Sequence, residues 1–133
     1  MGKPLYIKKS KGRGRGVFCR SLICKDDIIE ICPLLVLPSA DHDLVTHSHL
    51  MDYFFNFSKE DKMLALALGF GSLYNHARYS NAAYELDMKN RLMTYYALED
   101  IPAGREICIN YACETGIDFT EWFASRNIVC KQV

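Results

Sequence analysis

The sequence predicts a mostly β fold with a few short helices, held in one domain. Three observations predict it. Short runs rich in β-branched and aromatic residues recur at Leu5–Lys9, Ile28–Cys32, Ala83–Asp87, Leu92–Leu98 and Glu106–Tyr111. Polar or glycine- and proline-bearing turns separate them, as at Lys25–Asp27, Lys89–Asn90 and Pro102–Gly104. Helical spacing is confined to two stretches, one near Asp41–Phe57 and one at Asp118–Arg126. The 133 residues suffice for one hydrophobic core and not for two. No repeat, low-complexity linker or boundary divides them, so 1–133 is read as a single unit.

In chain order, Leu5–Lys9 forms a first strand that stops at the glycine-rich stretch Lys11–Gly16, and Val17–Cys19 restarts apolar structure. Ile28–Cys32 suits a strand. Pro33 interrupts it before Leu34–Leu37, which implies a bulged or edge arrangement. Asp41 is a candidate cap for a helix carrying Leu44, Leu50, Phe54 and Phe57, although the spacing is irregular. Lys59–Lys62 is a charged turn, and Met63–Leu68 is too short and too apolar to assign by period. Gly69-Phe70-Gly71 ends it. Asp118 and Glu121 form a capping box for the terminal helix.

Composition excludes more than it identifies. Sixteen basic residues balance sixteen acidic ones, so net charge points to no partner. Their placement is uneven: Lys3, Lys8, Lys9, Lys11, Arg13, Arg15 and Arg20 make the first twenty residues purely basic. No apolar run reaches the roughly 18 residues of a membrane span. The N-terminus lacks the apolar core of a secretory signal, and Tyr6 stands where a myristoylation signal wants Ser or Thr. The six cysteines are therefore expected to be reduced thiols in a cytoplasmic protein, although an unusually exported effector would read the same way. The Cys19/Cys24 and Cys108/Cys113 pairs fit buried structural thiols. His42, His47 and His49 lack a partner set with zinc geometry, so no metal site is expected.

Three segments can carry chemistry. Gly14-Arg15-Gly16 lets a ligand approach the backbone, but Val17 and Cys19 replace the third glycine of a dinucleotide fingerprint, and no Walker-type Lys-Ser/Thr follows. Alone it reads as a basic hairpin turn, with phosphate or nucleic-acid contact as the next reading. Gly69–Asn81 contains Asn75-His76, and by itself reads as a loop whose polar side chains satisfy the backbone. Ala103–Tyr111 reads as a turn and a core strand.

In this order and spacing, the three segments resemble the SET-domain family of lysine methyltransferases. The family's Gly-x-Gly-Val-Phe appears as Gly14–Phe18, its Asn-His-Ser-x-x-x-Asn loop as Asn75-His76-Ala77 through Asn81, and its terminal strand as Ala103–Tyr111. Asp52-Tyr53-Phe54-Phe55 and Ala67–Gly71 are similar to segments of the compact viral and bacterial members. The resemblance runs over about residues 5–126. It implies a fold of several small sheets, with a pseudoknot formed by the C-terminal segment.

The resemblance also implies an enzyme that moves a methyl group from S-adenosylmethionine to a protein lysine, with histones among the substrates. A cofactor cradle would be formed by Gly14, Arg15, Gly16, Asn75 and His76. Tyr111 would orient the lysine nitrogen, and Tyr53 and Ile109 would line the lysine channel. Trp122 is either an aromatic lid over the adenine or a core anchor for the last helix. The chain lacks the Cys-x-Cys zinc module that follows larger members. A homodimer is implied by analogy, with no membrane and no direct nucleic-acid partner. Action on host chromatin would place the protein in a nucleus. Ala77, Arg15, Arg105 and Ala112 depart from the pattern and leave open a catalytically idle SET fold used as a binding module.

Overall fold

The computed structural model describes residues 3–12 and 14–110. The predicted terminal helix, Tyr111 and Trp122 lie outside the described residues. Within them are nine strands: β1 (Leu5–Ser10), β2 (Gly14–Cys19), β3 (Ile28–Leu37), β4 (Phe54–Ser58), β5 (Met63–Ala67), β6 (Asn75–His76), β7 (Ala82–Asp87), β8 (Leu92–Ala97) and β9 (Glu106–Ile109). One helix, α1 (His42–Thr46), and short 3-10 turns fill the gap between β3 and β4.

The strands form two sheets, with orders β1-β2-β9-β6 and β4-β5-β3-β8-β7. The sheets enclose one core. Val17 and Ile107 from the smaller sheet join Ile29, Cys32, Met93 and Tyr95 from the larger one, all essentially without solvent exposure. The alternation that marks the strands in sequence also sets their inward faces: in β8, Met93, Tyr95 and Ala97 are buried while Leu92, Thr94 and Tyr96 are half-buried.

Two expectations are corrected. Asp41–Phe57 is not one helix. It divides into a 3-10 turn at Ser39–Asp41, the five-residue α1, a second 3-10 turn at His49–Tyr53, and strand β4. Asp41 makes no side-chain cap. Ser48 starts the new turn instead, accepting the Leu50 amide at 3.2 Å, while its hydroxyl donates to the Val45 carbonyl at 2.9 Å. Phe54 and Phe57 are therefore strand residues.

Nor is β3 an edge strand. It runs unbroken through Pro33 at the centre of the five-stranded sheet, changing partners there. Ile28–Pro33 pairs with β8 and Leu34–Leu37 pairs with β5. Proline has no N–H to donate, and this hand-over point makes little demand for one: the Pro33 carbonyl accepts from Leu68, and the Leu34 amide donates to Arg91. A register shift does occur, between Ile28 and Glu30.

Candidate active site

Asn75-His76 is a two-residue strand rather than a loop. It pairs in parallel with β9, Asn75 opposite Cys108 and His76 opposite Ile109. The Ala77 amide extends the ladder, donating to the Ile109 carbonyl at 2.9 Å. On its other side β9 pairs with β2, at Val17–Ile107 and Phe18–Glu106. Three segments far apart in sequence are thus adjacent strands of one sheet.

Asn81 locks this arrangement. Its buried side-chain amide donates to the Glu106 carbonyl and accepts the Cys108 amide, both at 2.9 Å, in the manner of an extra strand. Asn110 continues the contact at the end of β9, donating to the Arg78 carbonyl at 3.2 Å. The buried methyl of Ala77 needs no hydroxyl partner here, because backbone bonds and Asn81 already hold the loop.

The group at the centre is Glu106, a residue the sequence reading passed over. Its side chain is 3 % exposed. Oε1 accepts the Ser10 hydroxyl at 2.7 Å, and Oε2 accepts Asn75 Nδ2 at 2.8 Å. A buried carboxylate requires such donors, because leaving its oxygens unsatisfied would cost several kcal/mol. Asn75 Nδ2 also donates to the Arg15 carbonyl at 3.2 Å. Both neighbours of Nδ2 are pure acceptors, which fixes the amide orientation and spends both its N–H groups. Oδ1 then remains as the acceptor Asn75 can offer.

Gly16 packs directly over this pair. A Cβ there would collide with the Glu106 carboxylate and lie 2.9 Å from Asn75 Nδ2. Gly14, at φ +69°, sits in the left-handed region that allows the turn from β1. The glycine pattern thus has two physical causes, a turn and a close approach, and the Arg15 side chain points away, exposed.

A second buried node supports β6 from behind. Tyr74 donates its hydroxyl to Glu30 at 2.6 Å and packs against Tyr95, whose hydroxyl donates to the Gly71 carbonyl at 2.9 Å. Burial, followed by the nearby Glu30 charge, pushes the Tyr74 phenol far above its ordinary range. The same causes push the Cys32 thiol up to about 12. Both groups are structural and stay protonated.

Of the other expected residues, His76 is buried and Ile109 fully buried within the core. Tyr53 ends the second 3-10 turn, 43 % exposed, and the contacts that assemble Asn75, Glu106 and Gly16 do not include it. Cys19, Cys32 and Cys108 are buried free thiols, but Cys24 is exposed, which corrects the expectation of a buried pair. Cys113 lies outside the described residues. Among the described residues no His, Cys, Asp and Glu cluster is placed to hold a metal ion, and no helix is long and apolar enough to cross a membrane.

Residues 14–112 match the SET domain family. The chain belongs to that family. A histone-lysine N-methyltransferase specific for H3 lysine-37 from Schizosaccharomyces pombe is 33% identical over 108 residues, covering 81% of this chain and 73% of that protein. A crystal structure of a Plasmodium falciparum protein assigned as a histone methyltransferase is 33% identical and superposes with a TM-score of 0.69, covering 88% of this chain and all of that one. The Neurospora histone lysine methyltransferase DIM-5 shares the fold at 23% identity and a TM-score of 0.63, over 83% of this chain and 53% of its own. This SET domain is a protein-lysine methyltransferase.

Proposed function

We propose that this SET domain, a single unit over 1–133, binds S-adenosylmethionine against Gly14–Gly16 and Asn75-His76 and methylates a lysine of a histone tail beside Tyr111. The observation that carries the reading is the parallel pairing of Asn75-His76 with Cys108-Ile109, which leaves Tyr111 two residues downstream of the cofactor segment's partner strand. When bound, the cofactor supplies a methyl group on a sulfonium, an electrophile for a neutral amine.

The residues fit that cofactor. Gly16 lets the Glu106–Asn75 pair close up beneath the backbone, and Asn75 Oδ1 suits the ammonium of an amino-acid end, because both its N–H groups are spent on Glu106 and Arg15. His76, buried beside Ile109, acts as a fixed wall rather than a base. Tyr111 orients the lysine nitrogen, Ile109 and Tyr53 shape its channel, and Trp122 closes the adenine side. Holding donor and acceptor in line supplies several kcal/mol of barrier reduction, and a neighbouring sulfonium disfavours the lysine ammonium.

The histone substrate and action in a nucleus are supported by the likeness to the histone methyltransferases of Schizosaccharomyces pombe and Plasmodium falciparum. A homodimer is part of the same proposal, supported by half-exposed Ile28, Ile31 and Leu35 along the central strand β3. Transfer of tritium from labelled cofactor to histones tests the reading, with Tyr111→Phe as control and mass spectrometry to find the lysine. Cofactor binding without transfer to histones or any lysate protein would overturn it in favour of an idle binding module.

A further inference from the structure

The cationic side chains of the basic N-terminal stretch have no part in the site just described, to which the stretch gives its glycines, the Ser10 hydroxyl and the Arg15 carbonyl. In the structure it becomes a hairpin, with β1 on the edge of the four-stranded sheet. β9 supports β2 only at Val17 and Phe18. From Lys8 through Gly16 the two strands pair with each other alone, so this end of the hairpin extends past the ladder.

Its charges are arranged without compensation. Lys9 and Arg15 are directly opposed across the ladder, both exposed. Like charges in that position repel. Lys11 is exposed in the turn, and Lys8 sits on the other face with its ammonium 5.5 Å from the Phe18 ring centre. None of these four cations makes an ion pair with a described residue. The nearby carboxylate, Glu106, faces inward and is bound to Ser10 and Asn75. Arg20 lies over Tyr6 at the far end of the hairpin, and exposed Arg105, whose carbonyl accepts the Cys19 amide, adds another cation there. Before Asp26 the chain has no acidic residue.

Edge strands are commonly protected from aggregation by one or two lysines. That explains Lys8 or Lys9 and not Arg15, Arg20 or Arg105, which lie beyond the edge strand. The cations span a six-residue strand pair, roughly 20 Å, which is over half a turn of duplex at about 34 Å.

We propose that the β1–β2 hairpin docks on the phosphate backbone of duplex nucleic acid, independently of base sequence. Single strands are disfavoured because the hairpin's rings are already used: Tyr6 and Phe18 stack on each other at 5.7 Å and are each covered by a cation, leaving no open platform for a base. An acidic protein surface is the other class of partner. Within this chain, Asp43 and Asp61 do not supply such a surface, since they engage His42 and Ser58. Because the Arg15 carbonyl touches Asn75, a duplex held here would lie beside the methyl-transfer site.

The test is fluorescence anisotropy of the full chain with a 30-base-pair random duplex, the matching single strand and polyglutamate. Three phosphate contacts, from Lys9, Lys11 and Arg15, predict a loss of affinity of about 40-fold between 50 and 200 mM salt. Lys9→Glu with Lys11→Glu, and separately both to Ala, should weaken duplex binding at least tenfold and reduce the salt slope by about 2. Cofactor binding and the thermal melt should stay unchanged, which keeps this outcome separate from the fate of the methyl-transfer reading. No duplex binding at 50 mM salt, duplex affinity indifferent to both double variants, or equal or tighter binding of single strand or polyglutamate would overturn the proposal.

Discussion

The Glu106 carboxylate, itself buried, and the half-buried Asn75 amide lie 2.8 Å apart beneath Gly16. The carboxylate turns the amide so that its oxygen is left as a free acceptor, which the proposed cofactor site assigns to the amino-acid end. Glu106→Gln keeps the volume but substitutes an amide that must offer N–H to either Ser10 or Asn75. The loss of one charge-assisted bond, about 1.5–3 kcal/mol, predicts a 10- to 100-fold weaker Kd for S-adenosylmethionine by calorimetry. A cofactor analogue lacking the α-amino group should bind wild type and variant alike. Equal losses with both ligands would mean that Glu106 only supports the fold.

Gly16 offers a steric counterpart. An alanine there adds one methyl against a carboxylate that cannot retreat without giving up Asn75 or Ser10. Overpacking of this kind costs about 1–3 kcal/mol. Gly16→Ala is expected to lower the melting temperature and to abolish measurable cofactor binding. Gly14→Ala should lower stability alone, through backbone strain at φ +69°, with cofactor affinity of the folded fraction retained.

Much of this architecture was legible in the sequence because period-two alternation and turn chemistry act locally. β1, β7, β8 and β9 begin within a residue of where the apolar runs place them. What sequence could not supply depended on distant partners. Glu106 shows in the sequence only as the first residue of a strand; its burial rests on Ser10, 96 positions away, and Asn75, 31 away. Pro33 suggested an edge because its strand's change of neighbours is a tertiary event. The long helix failed because the Ser48 side chain bonds locally to Val45 and Leu50, dividing the segment before its apolar residues could form one face.

Tyr111 follows Asn110, whose side chain is tied to the Arg78 carbonyl. The approach to the tyrosine is therefore anchored to the loop after His76. Removing only the hydroxyl should spare cofactor binding and impair transfer. Tyr111→Phe is expected to lower kcat at least 10²-fold with an unchanged cofactor Kd, the pattern of an interaction made in the transition state. A variant that keeps more than a tenth of wild-type turnover would remove Tyr111 from the chemistry.

The core node behind Asn75 makes an alkaline prediction. Burial, then the Glu30 charge and its hydrogen bond, raises the Cys32 thiol from 9.0 to about 12, and Tyr74 moves in the same direction from 10.0. For groups whose folded pKa is raised, stability is fully present below the unfolded value and is lost as pH rises toward the folded one. Denaturant melts should therefore be insensitive to these groups up to about pH 9 and fall steadily from there toward pH 12. Cys32→Ala removes one of the two groups, so its stability should be lower at neutral pH yet decline less steeply above pH 9. In the same window iodoacetamide should modify exposed Cys24 in the folded protein and reach Cys32 only on unfolding. Equal labelling of the two in the native state, or identical alkaline slopes for wild type and Cys32→Ala, would mean that the Glu30–Cys32–Tyr74 node opens to solvent.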